Sequence, residues 1–166
     1  MSKIIISLLI VNVALLSCSS KKDENHQLPE SAEVAAVNEY PDIVLVLADG
    51  KEIQTKSLTG NNIFILFQPD CDHCQEEAIH IEQRLEEFKE YTLYFISSAP
   101  MDQIRGFAQN FRLQGKSNVR FAWTTTESVL TYYGPIPTPS IYIYSAGRLK
   151  QSFQGQTDME NILRAL

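Results

Sequence analysis

Five large hydrophobic residues in a row, Ile63 to Phe67, run into Gln68-Pro69-Asp70-Cys71-Asp72-His73-Cys74, and a helical repeat follows. No other stretch limits the fold so tightly. An apolar run with no polar interruption reads as a strand buried on both faces, and so as the centre of a sheet covered on both sides. Beyond it, Ala78, Ile81, Leu85 and Phe88 fall on one helical stripe, with Glu76, Glu86, Glu87 and Glu90 outside it. Two thiols spaced i and i+3 therefore stand where a central strand turns into an amphipathic helix.

The surrounding pattern is α/β. Ile43 to Ala48 and Glu52 to Thr55 read as strands, joined by Asp49-Gly50-Lys51, in which Asp-Gly accepts the positive φ of a tight hairpin. Leu93 to Ser97 is a second buried strand. Ile104, Phe107, Ala108 and Phe111 give another amphipathic helix, and Val119 to Trp123 another strand. Thr126 to Tyr133 predicts a short helix closed by Gly134. Ile141 to Tyr144 turns through Ala146-Gly147-Arg148 into Leu149 to Phe153. Thr157 is placed to cap a last helix bearing Met159, Ile162, Leu163 and Leu166. This order predicts a mixed central β-sheet flanked by helices, with an N-terminal β-hairpin.

The N-terminus is a separate matter. Lys3 precedes Ile4 to Leu16, an apolar run broken only by Ser7 and Asn12. It is shorter than the roughly 20 residues a membrane span takes and suits a signal-peptide core. Leu15-Leu16-Ser17-Cys18 then resembles a bacterial lipobox, in which the cysteine is lipidated and becomes the new N-terminus; an uncleaved anchor helix, or an ordinary signal peptide with Cys18 as a bystander, is the alternative. The reading divides the chain into a signal peptide at 1–17, a lipidated cysteine and flexible tether at 18–41, and one folded domain at 42–166. It also accounts for an odd cysteine count, since three cysteines become one lipid attachment and one pair. The expected location is a bacterial cell envelope, lipid-anchored and facing the periplasm, outside the reducing cytoplasm. The formal charge of −6 argues against a nucleic-acid partner, which needs a basic footprint.

Cys71 opens the helix, where the macrodipole and free N–H groups favour a thiolate. Cys74 is one turn in and more shielded. A protonated His73 would support the Cys71 thiolate, whereas Asp70 and Asp72 oppose a further negative charge, so His73 and Asp72 are candidate tuning residues. Two other readings of the pair stand beside a redox one. A structural zinc site needs four ligands, and only Cys71, Cys74, His73 and His80 are close in sequence. A purely structural disulfide would close a very small loop and constrain little chain entropy. Far downstream, Pro135-Ile136-Pro137-Thr138-Pro139 leads into a strand, where X-Pro is the one bond at which cis is cheap.

Taken together, Cys71-Asp72-His73-Cys74 at a strand-to-helix junction, Thr138-Pro139 before a hairpin and a final helix resemble a thioredoxin fold. Asp49-Gly50-Lys51, Leu58-Thr59-Gly60, Ala146-Gly147-Arg148 and Phe153-Gln154-Gly155 extend the resemblance to the TlpA/ResA-like thiol-disulfide oxidoreductases over about residues 42 to 166. The resemblance implies an enzyme in which Cys71 attacks, Cys74 resolves, and a cis-Pro139 faces the pair while Thr138 offers backbone groups to an extended substrate. It implies no cofactor beyond a Cys71–Cys74 disulfide and no metal. It implies disulfide-containing envelope proteins as substrates and a membrane thiol-disulfide donor that restores the dithiol. Departures are visible. No tryptophan shortly precedes Cys71, no proline lies between the cysteines, and Ile65 stands where thioredoxin carries a buried acid. The expected activity is reduction of protein disulfides, with oxidase or isomerase use of the same pair, or a non-catalytic binding module for a metal or protein, as alternatives.

The lipobox generates a direct test. Cys18→Ala is expected to leave the protein unprocessed or released from the membrane fraction. Processing and membrane retention equal to the parent, read by fractionation and intact mass, would remove the lipid anchor.

Overall fold

The computed structural model describes residues 39–166. The expected signal peptide, Cys18 and most of the tether lie outside the described residues. Seven strands are present: β1 (Val44–Leu47), β2 (Glu52–Gln54), β3 (Asn61–Leu66), β4 (Thr92–Ser97), β5 (Val119–Trp123), β6 (Ser140–Ser145) and β7 (Arg148–Gln154). They form one mixed sheet in the order β2-β1-β5-β4-β3-β6-β7. The three inner strands β3, β4 and β5 are parallel, and the hairpins β1–β2 and β6–β7 flank them antiparallel. Four helices connect and cover the strands: α1 (Asp72–Gln83), α2 (Met101–Asn110), α3 (Thr126–Tyr133) and α4 (Met159–Arg164). The fold is thioredoxin-like, as the sequence predicts.

Strand alternation builds two cores from one sheet. Ile63, Ile65 and Phe67 face α1, α2 and α4, together with Phe95, Phe107, Phe121, Ile141 and Ile143. Phe64 and Leu66 face the opposite layer, with Leu45, Ile96, Tyr142 and Tyr144, and α3 packs there through Val129, Tyr132 and Tyr133. The unbroken apolar run follows directly, because neither face of β3 meets water. Tyr40 is buried in the second core, 5.6 Å from the ring of Phe64 and 4.8 Å from that of Tyr144, and its hydroxyl accepts from Asn62. Pro41 is buried as well. The packed domain thus takes in Tyr40 and Pro41, which the sequence reading assigned to the tether.

Local details differ in three places. The first helix begins at Asp72 rather than after Cys74. It stops at Gln83, and a 3-10 turn at Leu85–Phe88 carries the rest of the stripe. The last helix is capped by Asp158, whose carboxylate accepts from the Glu160 N–H, not by Thr157. Thr157 instead donates to the Gly155 carbonyl. The β6–β7 turn puts Ala146 and Gly147 both at positive φ, the geometry that matches the twist of a tight hairpin.

Phe95 is fully buried between Phe121, with ring centroids 4.9 Å apart, and Phe67 at 5.8 Å. Phe95→Ala is expected to lower stability by about 3–5 kcal/mol. The check is a lower urea midpoint at unchanged slope.

Candidate active site

The register of one ladder brings the distant parts together. Leu66 pairs with Ser140, so the chain leaving β3 at Phe67 runs beside the chain entering β6 at Pro139. The Thr138–Pro139 peptide bond is cis. Pro139 is buried, and its carbonyl accepts from the Gly155 N–H at 2.8 Å.

Cys71 is the N-cap of α1, with extended backbone, and its Sγ accepts from the Cys74 N–H at 3.2 Å. A thiolate there gains the charge-assisted form of this bond, and the helix N-terminus adds its partial positive charge. The same sulfur lies 3.5 Å from the Thr138 carbonyl oxygen, to which the thiol donates, and 3.8 Å from the Thr138 hydroxyl. Cys71 is half-buried, whereas Cys74 is buried; both are free thiols. Burial pushes the Cys74 thiol up to about 12, and its bond to Cys71 pushes in the same direction. The two thiols of one short motif therefore stand in different electrostatic settings.

Four of the sequence-predicted site residues, Cys71, Cys74, Thr138 and Pro139, meet at this point. His73 and Asp72 are exposed. The His73 imidazole Nδ1 is 3.7 Å from the Glu76 carboxylate, one helical turn on. His80 lies on the exposed side of α1. Among the described residues no group of three or more His, Cys, Asp or Glu is placed to hold a metal ion.

One residue escaped the sequence reading. Glu77, an acid in a first helical turn that the sequence analysis does not single out, is 2% exposed, and its Oε1 has no hydrogen-bond partner. Burial raises its carboxyl to about 7, an effect the backbone N–H of Thr157 partly offsets. Its spacing gave the signal: Cys74, Glu77, Ala78 and Ile81 form one buried helical face.

The AhpC/TSA family model matches residues 37–151. The thiol-disulfide oxidoreductase ResA of Bacillus thuringiensis subsp. konkukian is 24% identical over 126 residues, covering 75% of this chain and 72% of that protein. MTB dsbF, solved in mixed oxidized and reduced forms, superposes with a TM-score of 0.63 at 18% identity, over 79% of this chain and 94% of that one. A secreted Mycobacterium tuberculosis disulfide oxidoreductase homologous to E. coli DsbE gives a TM-score of 0.60 at 15% identity, over 75% and 93%. No helix among the described residues is long and apolar enough to cross a membrane.

Glu77 makes stability pH-dependent in a defined direction. Its carboxyl ionises near 4.5 when unfolded and near 7 when folded, so the native state holds the extra proton between those values. Stability is expected to fall as pH rises from 4.5 to 7, by on the order of 3 kcal/mol from this group. Glu77→Gln should flatten that decline. Urea midpoints measured across the window check it, and an unchanged slope in the variant would disprove the assignment.

Proposed function

The chain belongs to the AhpC/TSA family, and on that premise we propose that it is a thiol-disulfide oxidoreductase that reduces protein disulfides through Cys71 and Cys74. The observation that carries this reading is the unequal pair on one helix end. Cys71 is accessible, held by the Cys74 N–H and next to Thr138, while Cys74 is buried with its thiol raised to about 12. Cys71 is the sulfur a substrate can reach, whereas Cys74 is buried and its raised thiol stays protonated at neutral pH, and the thiolate is the reacting form.

The Cys71 thiolate attacks one sulfur of a substrate disulfide. The substrate S–S bond breaks, its other sulfur leaves as a thiolate and takes a proton, and a mixed disulfide with Cys71 forms. Cys74 then loses its proton and attacks the Cys71 sulfur. The mixed disulfide breaks, the second substrate thiol is released, and the 71–74 disulfide remains. Two electrons and two protons have passed to the substrate. The bound substrate segment lies along Thr138, whose N–H has no backbone partner among the described residues and is free for a strand-like contact.

Reduction is the direction we propose, and the acids beside Cys71 support it. Strong oxidants of this chemistry owe their potential to a stabilised thiolate. Here Asp70 and Asp72 stand on either side of Cys71 in sequence, and the His73 imidazole lies 3.7 Å from the Glu76 carboxylate. We further propose that Cys18 is lipidated, that residues 18–38 tether the domain in a bacterial envelope, and that a membrane dithiol restores the reduced pair. No cofactor is needed on this reading, because the Cys71–Cys74 dithiol itself carries the two electrons.

The two cysteines should separate in a trapping experiment. Cys74→Ser is expected to accumulate reductant-sensitive adducts through Cys71, because attack survives and resolution is lost. Cys71→Ser should trap little, its remaining thiol being buried and protonated. Non-reducing gels with mass-spectrometric assignment of the linked cysteine check this. Adducts mainly through Cys74 would reverse the roles, and none from either folded variant would favour a non-catalytic binding module.

A further inference from the structure

A cleft lies at the opposite end of the sheet from the dithiol. It measures about 520 Å³ and opens beside the start of β5, between α2, the β1–β2 turn and the loop 114–117. Leu93 of β4 pairs with both Ile63 of β3 and Val119 of β5, so the loop before Val119 lies beyond the end of the sheet where β3 begins. Cys71 lies beyond the end where β3 finishes, and no residue that touches it lines this cleft.

The charges here run against the rest of the chain. The sequence holds 20 acids and 14 bases, yet Arg105, Lys116 and Arg120 line the cleft against one acid, Asp49. Asp49 is engaged in its own turn, where its Oδ1 accepts from the Lys51 N–H. The main chain holds both arginines in place. Arg105 donates through Nε and Nη2 to the Ala48 carbonyl, and Arg120 donates through Nη1 to the carbonyls of Ser117 and Val119. A guanidinium carries five N–H donors, so roughly three on each arginine remain. Among the described residues neither arginine pairs with a carboxylate. Lys116 has a long contact, 4.0 Å, with Glu82, which Arg112 also meets at 3.6 Å.

The loop adds neutral donors. Gly115 has φ +77°, and a Cβ built on it would meet nothing within 4 Å, so the turn is open. The N–H groups of Gly115 and Ser117 have no main-chain partner among the described residues, and Ser117 brings a hydroxyl. Two fixed guanidinium forks, an ammonium and free N–H groups around one hollow form the donor set that a tetrahedral oxyanion satisfies. A carboxylate, with two oxygens, would leave most of these donors unused.

We propose that this cleft binds a phosphate group, with Arg105, Arg120 and Lys116 on its oxygens. Two sources carry that chemistry: a free phosphate, or the headgroup of an anionic lipid, since the chain enters the domain at this same end. A headgroup held here would set the dithiol facing away from the bilayer. The site stands independently of the redox reading.

The test follows acetylation of Lys116 in the full-length protein by mass spectrometry. Lys150 on β7, which does not line the cleft, is the internal reference. In neutral-detergent micelles, inorganic phosphate at about 10 mM nearly fills a site of roughly 1 mM affinity, so the Lys116 rate is expected to fall about tenfold while that of Lys150 holds. Vesicles of phosphatidylglycerol and of phosphatidylcholine, without phosphate, form the second arm. Protection in micelles but not on phosphatidylglycerol assigns a free phosphate. Protection on phosphatidylglycerol but not on phosphatidylcholine assigns the headgroup. Arg105→Gln combined with Arg120→Gln should abolish either protection. Arg120→Gln alone, which leaves the Arg105 contact to Ala48 in place, should raise the half-protecting concentration of phosphate or phosphatidylglycerol about tenfold, the loss of one charge-assisted contact. A Lys116 rate that neither ligand slows would overturn the proposal. So would equal slowing by sodium chloride at matched ionic strength, equal slowing of Lys150, or protection that survives the double replacement in a protein whose circular dichroism matches the parent.

Discussion

The pairing of β3 with β6 organises the rest of the molecule. β3 is buried on both faces and hydrogen-bonded along both edges, to β4 on one side and β6 on the other. A chain that leaves such a strand can go only off its end. The residues after Phe67 therefore emerge at the edge of the sheet, and the first backbone N–H groups of α1 meet solvent there instead of being covered. Because β6 runs antiparallel with Ser140 opposite Leu66, its entry loop is delivered to the same edge. A contact between residues 67 positions apart, Cys71 to Thr138, follows from one register. Slipping that ladder by one residue would turn Phe64 and Leu66 into the wrong core and carry Thr138 away from the thiol.

The difference between the two cysteines is a consequence of helix geometry rather than of sequence neighbours. Position N-cap has extended backbone and faces outward, so Cys71 keeps access to solvent, and its Sγ accepts from the Cys74 N–H, which the Cys71 carbonyl shares. Three residues on, the helix has turned its side chain onto the sheet, so Cys74 joins Ile63, Phe67 and Ala78 in the core. Desolvation there raises the Cys74 thiol. The same turn of helix explains Glu77. It shares the buried face of Cys74 and Ala78, and a carboxylate there must either keep its proton or leave an oxygen without a partner.

Much of this was legible in the sequence because period and punctuation agreed. The strand–Cys-x-x-Cys–helix unit, both hairpins and the element order were readable from apolar runs, Asp49-Gly50 and Ala146-Gly147, each of which has one cheap backbone solution. Glu77 was missed because residue type outweighed position: an acid in a first turn suits the dipole, and only the stripe of Cys74, Ala78 and Ile81 shows that it points inward. Asp158 displaced Thr157 as the last cap because both residue types serve equally well, and one residue of register is not encoded by either. Tyr40 was assigned to the tether because nothing local distinguishes a buried aromatic from an exposed one; its partners, Phe64 and Tyr144, are 24 and 104 residues away in sequence.

The path of the chain also sets the direction in which the dithiol faces. Glu39 bridges to Arg148, Arg148 pairs with Ser145, and Ser145 pairs with Asn61 at the start of β3. The chain thus enters the described domain at the end of the sheet where β3 begins, and Cys71 sits beyond the end where β3 finishes. Six strand residues separate the two ends, about 20 Å of sheet at roughly 3.3 Å per residue. Glu39, the first described residue, is therefore on the far side of the domain from the reactive sulfur. On the proposed reading of Cys18 as a lipid attachment, the dithiol would face away from the point at which the chain enters the domain.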